Sequence, residues 1–269
     1  MMQDYQLEII LNDLVELYGY DFTHYTRASL KRRMGRLYVL DNYANFEEFR
    51  RRVLSDRDYL KRLVEELTVN VTEMFRDHTF YRVLKNEVLP VLATYPFIRI
   101  WHAGCSTGEE VFSMAILLQE ANLLDKSLLY ATDLNPGVLE KARKGIFPLI
   151  HMKQYSENYI LSGGEREFSS YYTAHYNGAK FNESLRKKMI FSTHNLVSDG
   201  SFNEFHLILC RNVLIYFQKE LQDKVLRLFD SSLATLGFLA LGSKETLKFS
   251  AIASHYQQPS KEKIWRKIK

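Results

Sequence analysis

Leu7, Ile10, Leu14 and Leu17 recur at steps of three and four, which places them on one face of a helix that Gly19 brings to an end. Leu30, Met34 and Leu37 form the apolar stripe of a second helix over 26–40, and further helical patterns run over 46–54 and 59–67. At about 100° per residue, Lys31, Arg32 and Arg36 fall on the remaining, solvent-facing arc of the second helix. No strand pattern precedes Phe97, so roughly the first 75 residues read as a small helical domain, with 77–92 as a helix leading onward. After Pro96 short apolar runs at 98–102, 128–132, 205–210 and 238–242 alternate with helical stretches, and that rhythm predicts an α/β fold with a doubly wound parallel sheet covered on both faces. Between Phe147 and Phe191 the rhythm breaks: Tyr171, Tyr172, Tyr176 and Phe181 surround the turn signal Asn177-Gly178, which predicts an inserted small antiparallel sheet. The expected division is a helical domain over 1–76 and a sheet domain over 77–269, with the β subdomain inserted at about 148–191.

Composition narrows the class. The 269 residues are 46% hydrophobic and 25% charged, an ordinary globular balance. No apolar run approaches the roughly 20 residues of a membrane span, and the N-terminus lacks a basic region followed by a signal core, so a cytoplasmic protein without membrane insertion is expected. Two cysteines, Cys105 and Cys210, support neither a disulfide framework nor a cysteine zinc site, and no metal is expected. Thirty-six Lys and Arg against 32 Asp and Glu give a net charge of +4, too small for a nucleic-acid signal. The positive charge is concentrated in one segment, Arg27, Lys31, Arg32, Arg33 and Arg36.

The segment from Arg99 to Glu110 reads as strand, glycine turn and the first turn of a helix, where a doubly wound sheet binds a nucleotide-like ligand. Gly104 and Gly108 would let the backbone approach that ligand; an ordinary strand-to-helix turn capped by Thr107 is equally compatible. Glu109 and Glu110 follow at once and would repel a pyrophosphate, which favours a cofactor without phosphates. Twenty-five residues beyond Gly108 the second strand ends at Asp133, placed to bond a ribose hydroxyl pair or, alternatively, to cap the helix that begins at Pro136. Arg211, Asn212 and Tyr216 follow the fourth strand, at the carboxyl edge where ligands bind, and Asn195-Leu196 follows the strand before it as either a cap or an adenine contact.

With Asn70-Val-Thr72-Glu-Met-Phe75-Arg76, Ser106-Thr-Gly108-Glu-Glu110, Ala131-Thr-Asp133, Asn195-Leu196 and Cys210-Arg211-Asn212 through Tyr216-Phe217 in order, the chain resembles the chemotaxis receptor methyltransferases, the CheR family. The resemblance implies an all-helical N-terminal domain, a Rossmann-like domain that binds S-adenosylmethionine and its product S-adenosylhomocysteine, and an inserted β subdomain. It implies cofactor contacts from Asn70, Thr72, Arg76, Glu110, Asp133, Asn195, Leu196, Arg211 and Asn212, beside the Gly104 turn. Arg76, Arg211 and Tyr216 are the expected catalytic set, and the expected activity is glutamate methyl ester formation on receptor helices, met by the basic helix Arg27–Arg36 of a monomeric enzyme. Two departures stand out. The family's Gly-His-Ser-Glu segment reads Gly242-Ser243-Lys244-Glu245 here, and the insertion around Tyr176 to Lys180 is short of glycine beside relatives that dock a receptor's C-terminal peptide. A nucleic-acid methyltransferase is disfavoured because Cys210-Arg211-Asn212-Val213 lacks the paired prolines expected where exocyclic base nitrogens are methylated. A non-catalytic cofactor-binding adaptor is the remaining alternative.

Overall fold

The computed structural model describes residues 2–68 and 71–269. The chain divides into two compact units, one of Met1–Asn70 with Ile215–Val225, the other of Val71–Leu214 with Leu226–Lys269.

The first unit holds α1 (Asp4–Tyr18), α2 (Arg27–Leu40), α3 (Phe46–Ser55) and α4 (Arg57–Leu67). Each boundary has a local cause. Gly19 ends α1 at φ 73°, a left-handed turn that glycine adopts without steric cost. Asn45 caps α3 by accepting from the Glu48 amide, and Asp56 caps α4 by accepting from the Asp58 and Tyr59 amides. The stripe Leu30, Met34 and Leu37 is buried as its spacing predicts. On α1 the buried set is Leu7, Ile10, Leu11 and Leu14, and Leu17 is 61% exposed. At about 100° per residue Leu17 lies about 80° round the helix from Leu7, whereas Leu11 lies only about 40° away, so Leu11 takes the inward place.

The basic face of α2 is less open than its spacing suggests. Arg27 pairs with Glu8 at 2.7 Å, Lys31 with Asp4 at 2.6 Å and Arg36 with Glu66 at 3.5 Å, while Arg33 donates to the Glu66 carbonyl. Acidic residues of neighbouring helices thus neutralise part of it, and Arg32 stays exposed.

The second unit opens with a helical run: α5 (His78–Val83), a π-helical turn (Leu84–Val88) and α6 (Leu89–Leu92). The sheet elements then follow as β1 (Ile98–Ala103), α7 (Glu109–Glu120), β2 (Ser127–Asp133), α8 (Pro136–Lys144), β3 (Ile146–Pro148), α9 (Met152–Leu161), β4 (Tyr172–His175), β5 (Gly178–Phe181), α10 (Glu183–Arg186) and β6 (Met189–Thr193). The rest of the chain supplies β7 (Phe205–Cys210), α11 (Lys219–Ser232), β8 (Leu233–Leu241), β9 (Tyr256–Gln257) and β10 (Ile264–Lys267).

The main sheet has the order β6-β2-β1-β7-β8-β10-β9. Its first five strands are parallel, and β10 and β9 continue antiparallel. From β1 the chain moves outward to β2 and β6 and then returns to the other side of β1 with β7, so the order reverses between β1 and β7. At such a switch point the loops leaving the two carboxyl ends diverge and open a crevice for a ligand. The small antiparallel sheet, ordered β3-β5-β4, fastens to α7 through edge-on contacts of Phe147 and Phe181 with Phe112, at 5.3 and 5.5 Å. Met189–Thr193 pairs with β2 and therefore belongs to the main sheet rather than to the small one.

Candidate active site

The turn after β1 is shaped by backbone conformation. Gly104, at φ 78°, would bring a Cβ within 2.5 Å of a Val213 methyl, and Gly108, at φ 98°, would bring one within 3.0 Å of Ala142. Side chains are thus excluded at both ends of the turn, which helix α8 and the segment after β7 enclose. The Gly104 and Cys105 amides both donate to the Thr132 carbonyl, at 2.8 and 2.9 Å, tying the turn to the end of β2.

Asp133 is 9% exposed. One of its oxygens accepts from the Ser106 amide at 2.9 Å and the other from the Asn135 amide at 3.0 Å. Burial raises its carboxyl above the ordinary value despite these bonds. Capping of α8 falls to Asn135, which accepts from the Gly137 amide, so the helix leaves Asp133 available. A carboxylate has about four lone-pair sites, and two remain for a hydroxyl pair. The Ser106 hydroxyl beside it is buried with no partner among the described residues. An orphaned donor next to an under-used carboxylate, within a cradle closed to side chains, fits a polyhydroxylated nucleoside.

A second cluster lies between β1, α7 and the end of β7. Glu110 accepts from His102 Nδ1 at 2.9 Å and from Arg211 at 3.2 Å. Arg211, its side chain 3% exposed, also donates to Asp77 at 2.7 Å and to the Arg76 carbonyl at 3.1 Å, and its guanidinium lies 4.0 Å from the centre of the Phe80 ring. Burial alone would raise the Glu110 carboxyl; the hydrogen bond and charge of His102, with the charge of Arg211, hold it below the usual range. Arg211 therefore fixes the 76–77 backbone against α7 through its terminal nitrogens, while its Nε is buried with no partner among the described residues. The sequence places Arg211 at the cofactor and the incoming substrate, and the structure adds this bracing role, which no local pattern announces. Asn212, at φ 62°, donates its amide to Glu245 at 3.0 Å, and the same carboxylate oxygen accepts from the Gly242 amide at 2.5 Å. The acidic residue of the departing 242–245 segment thus joins the ends of β7 and β8.

The segment carrying Thr72 and Arg76 is pinned from beneath. Phe75, buried at φ 53°, donates its amide N–H to Ser113 Oγ at 3.0 Å, and Asn158 donates to the Met74 carbonyl at 3.0 Å. The Phe75 ring packs on Tyr81, Tyr159 and Phe168. Arg76 is half-buried and donates to the Val71 carbonyl at 3.3 Å. Asn195 turns its side chain to the Val197 amide at 2.9 Å, with Leu196 buried next to it. Among the sequence-designated residues the second unit therefore brings Gly104 and Asp133 together, and Glu110, Arg211 and the Arg76 backbone together. Tyr216 belongs to the helical unit, where its carbonyl accepts from the Thr26 amide at 2.8 Å. Asn70 lies outside the described residues.

Fold and site together define a Rossmann-like methyltransferase. The family model described as CheR methyltransferase, SAM binding domain, matches residues 70–264, and the one described as CheR methyltransferase, all-alpha domain, matches residues 6–68. The chain belongs to the CheR family of S-adenosylmethionine-dependent methyltransferases. A Pseudomonas putida protein named "Putative methyltransferase Cher3" is 45% identical over 98% of this chain and 97% of its own length. A chemotaxis protein methyltransferase from Listeria innocua is 31% identical over 90% of this chain and 89% of its own. Among solved structures, the magnesium protoporphyrin IX methyltransferase of Synechocystis PCC 6803 is a loose likeness, with 17% identity, 87% of this chain and 70% of that one covered, and a TM-score of 0.35. No helix among the described residues is long and apolar enough to cross a membrane.

Proposed function

We propose that the protein esterifies glutamate side chains of chemotaxis receptors. The observation that carries this reading is the run of both family models along the chain, together with relatives named chemotaxis protein methyltransferase. S-adenosylmethionine supplies an activated methyl group when bound. Asn70, Thr72, Arg76, Gly104, Glu110, Asp133, Asn195, Leu196, Arg211 and Asn212 would hold that cofactor, Asp133 at the ribose and Arg76 through a planar fork on the carboxylate.

The chemistry asks little of the protein beyond alignment. A glutamate has an unperturbed pKa of about 4.3, so it reaches the site as a carboxylate and needs no general base. Holding nucleophile and methyl in line at about 3 to 3.5 Å, with water excluded, supplies most of the acceleration. Tyr216 is our candidate for orienting the incoming carboxylate, a contact strongest in the transition state. Methylation removes a negative charge from a receptor helix, and relief of repulsion between like charges shifts a two-state equilibrium.

Transfer of labelled methyl to receptor-containing membranes, with release of the label by mild base, tests the reading. Base-labile label is expected; cofactor binding without transfer identifies an adaptor, and base-stable label identifies another acceptor. In the same assay Tyr216→Phe is expected to lose about tenfold or more in rate with unchanged cofactor affinity. Parent-like turnover would remove Tyr216 from the chemical step.

A further inference from the structure

His102 occupies an unusual place. It is the last residue but one of β1, it is fully buried, and Ala131 and Leu209 are its apolar partners in the flanking strands. An ionisable ring in the middle of a parallel sheet costs desolvation and is retained where it bonds a group of consequence. That group is Glu110: Nδ1 lies 2.9 Å from one Glu110 oxygen, and Nε2 is buried with no partner among the described residues. With nothing at Nε2, the Nδ1 bond alone fixes the ring against the carboxylate, and Glu110 is held from two sides, by this imidazole and by Arg211.

We propose that His102 is a positioning residue that fixes the Glu110 carboxylate for the bound cofactor. The proposal rests on the reading of Glu110 as a cofactor ligand. The bond from Nδ1 holds one oxygen of the Glu110 carboxylate and Arg211 holds the other, so the group that meets the cofactor is fixed in one orientation. The titratable and charged groups connected to this pair are Glu110 from α7, Arg211 from the end of β7 and, through Arg211, Asp77 and Tyr81 beside α5. Cys105, in the turn after β1, also lies within the field of Glu110. The direction of the Glu110 shift agrees with the geometry, since the His102 bond is the largest influence opposing burial.

The test is calorimetric binding of S-adenosylhomocysteine by the full chain. His102→Asn places an amide N–H where Nδ1 stands, whereas His102→Leu fills the same core space and donates nothing. His102→Asn is expected to match the parent within about threefold, and His102→Leu to bind about tenfold more weakly. A leucine variant that folds and binds like the parent, or an asparagine variant that binds as weakly as the leucine one, overturns the proposal. Glu110→Gln separates the two readings: if it weakens binding while His102→Leu does not, only the role of His102 fails, and if it binds like the parent the assignment of Glu110 fails and takes this role with it.

Discussion

Glu109 and Glu110 are adjacent carboxylates at the start of α7 that the fold drives in opposite directions. Glu110 is surrounded by donors and held low, whereas burial raises Glu109 to about 7, against which bonds from Thr107 and Tyr155 act only partly. A carboxyl whose folded pKa exceeds its unfolded value binds more protons in the folded state between the two, so stability falls as pH rises from about 4.5 toward 7. Above that window the protein carries a buried charge at a cost on the order of 3 kcal/mol. Glu109→Gln accepts the Thr107 hydroxyl without the charge. Its melting temperature should match the parent's near pH 5 and exceed it at pH 8; equal melting temperatures at both pH values would show that Glu109 is not buried as described.

At the scale of elements, the glycine turn carries the sharpest constraint. Gly108→Ala places a side chain at φ 98° with Ala142 at 3.0 Å, and the left-handed backbone alone costs about 1 to 2 kcal/mol. Denaturant unfolding should register at least that loss, and an unchanged midpoint would mean that the turn does not hold residue 108 in the left-handed conformation. The same turn explains what was legible in the chain. Its glycines, its following acidic pair and the apolar runs of β1, β2, β7 and β8 are local signals, so the parallel sheet and its ligand edge could be read from residue order. The terminal strands could not: Tyr256–Gln257 is two residues long, and Ile264–Lys267 offers only Ile264 and Trp265 before a cationic pair, so pairing with β8 supplies what local pattern lacks. The site was legible as residue types but not as partnerships. His102 hid inside an apolar run, and Arg211 gave no sign that Asp77, 134 positions away, would claim it.

For the whole molecule, charge is the property that reaches a macromolecular substrate before any contact forms. If the α2 surface guides an acidic partner, replacing Lys31, Arg32 and Arg36 together with Glu should slow receptor methylation and leave S-adenosylhomocysteine affinity unchanged. Added salt should reproduce the effect in the parent, because exposed charges are screened beyond about 8 Å at physiological ionic strength. The neutralising partners Asp4 and Glu66 make Arg32 the largest single contributor. Methylation at the parent rate by the triple variant would assign these residues to a solvated face.

The helical unit is assembled from two stretches of chain separated by about 144 residues, and this bears on how such proteins can recombine. Tyr25 bridges to Phe217 with ring centres 4.8 Å apart, and Gln218 donates its amide to the His24 carbonyl at 2.9 Å. An exchange that transplants only the first 70 residues from a relative delivers an incomplete interior, with Tyr25, on which Phe22 packs, facing whatever the recipient carries at 215–225. Inheritance of the two stretches is thereby linked: a crossover between them joins halves that were selected in different backgrounds. Viable chimeras should be those in which the cassette and its distant complement travel together.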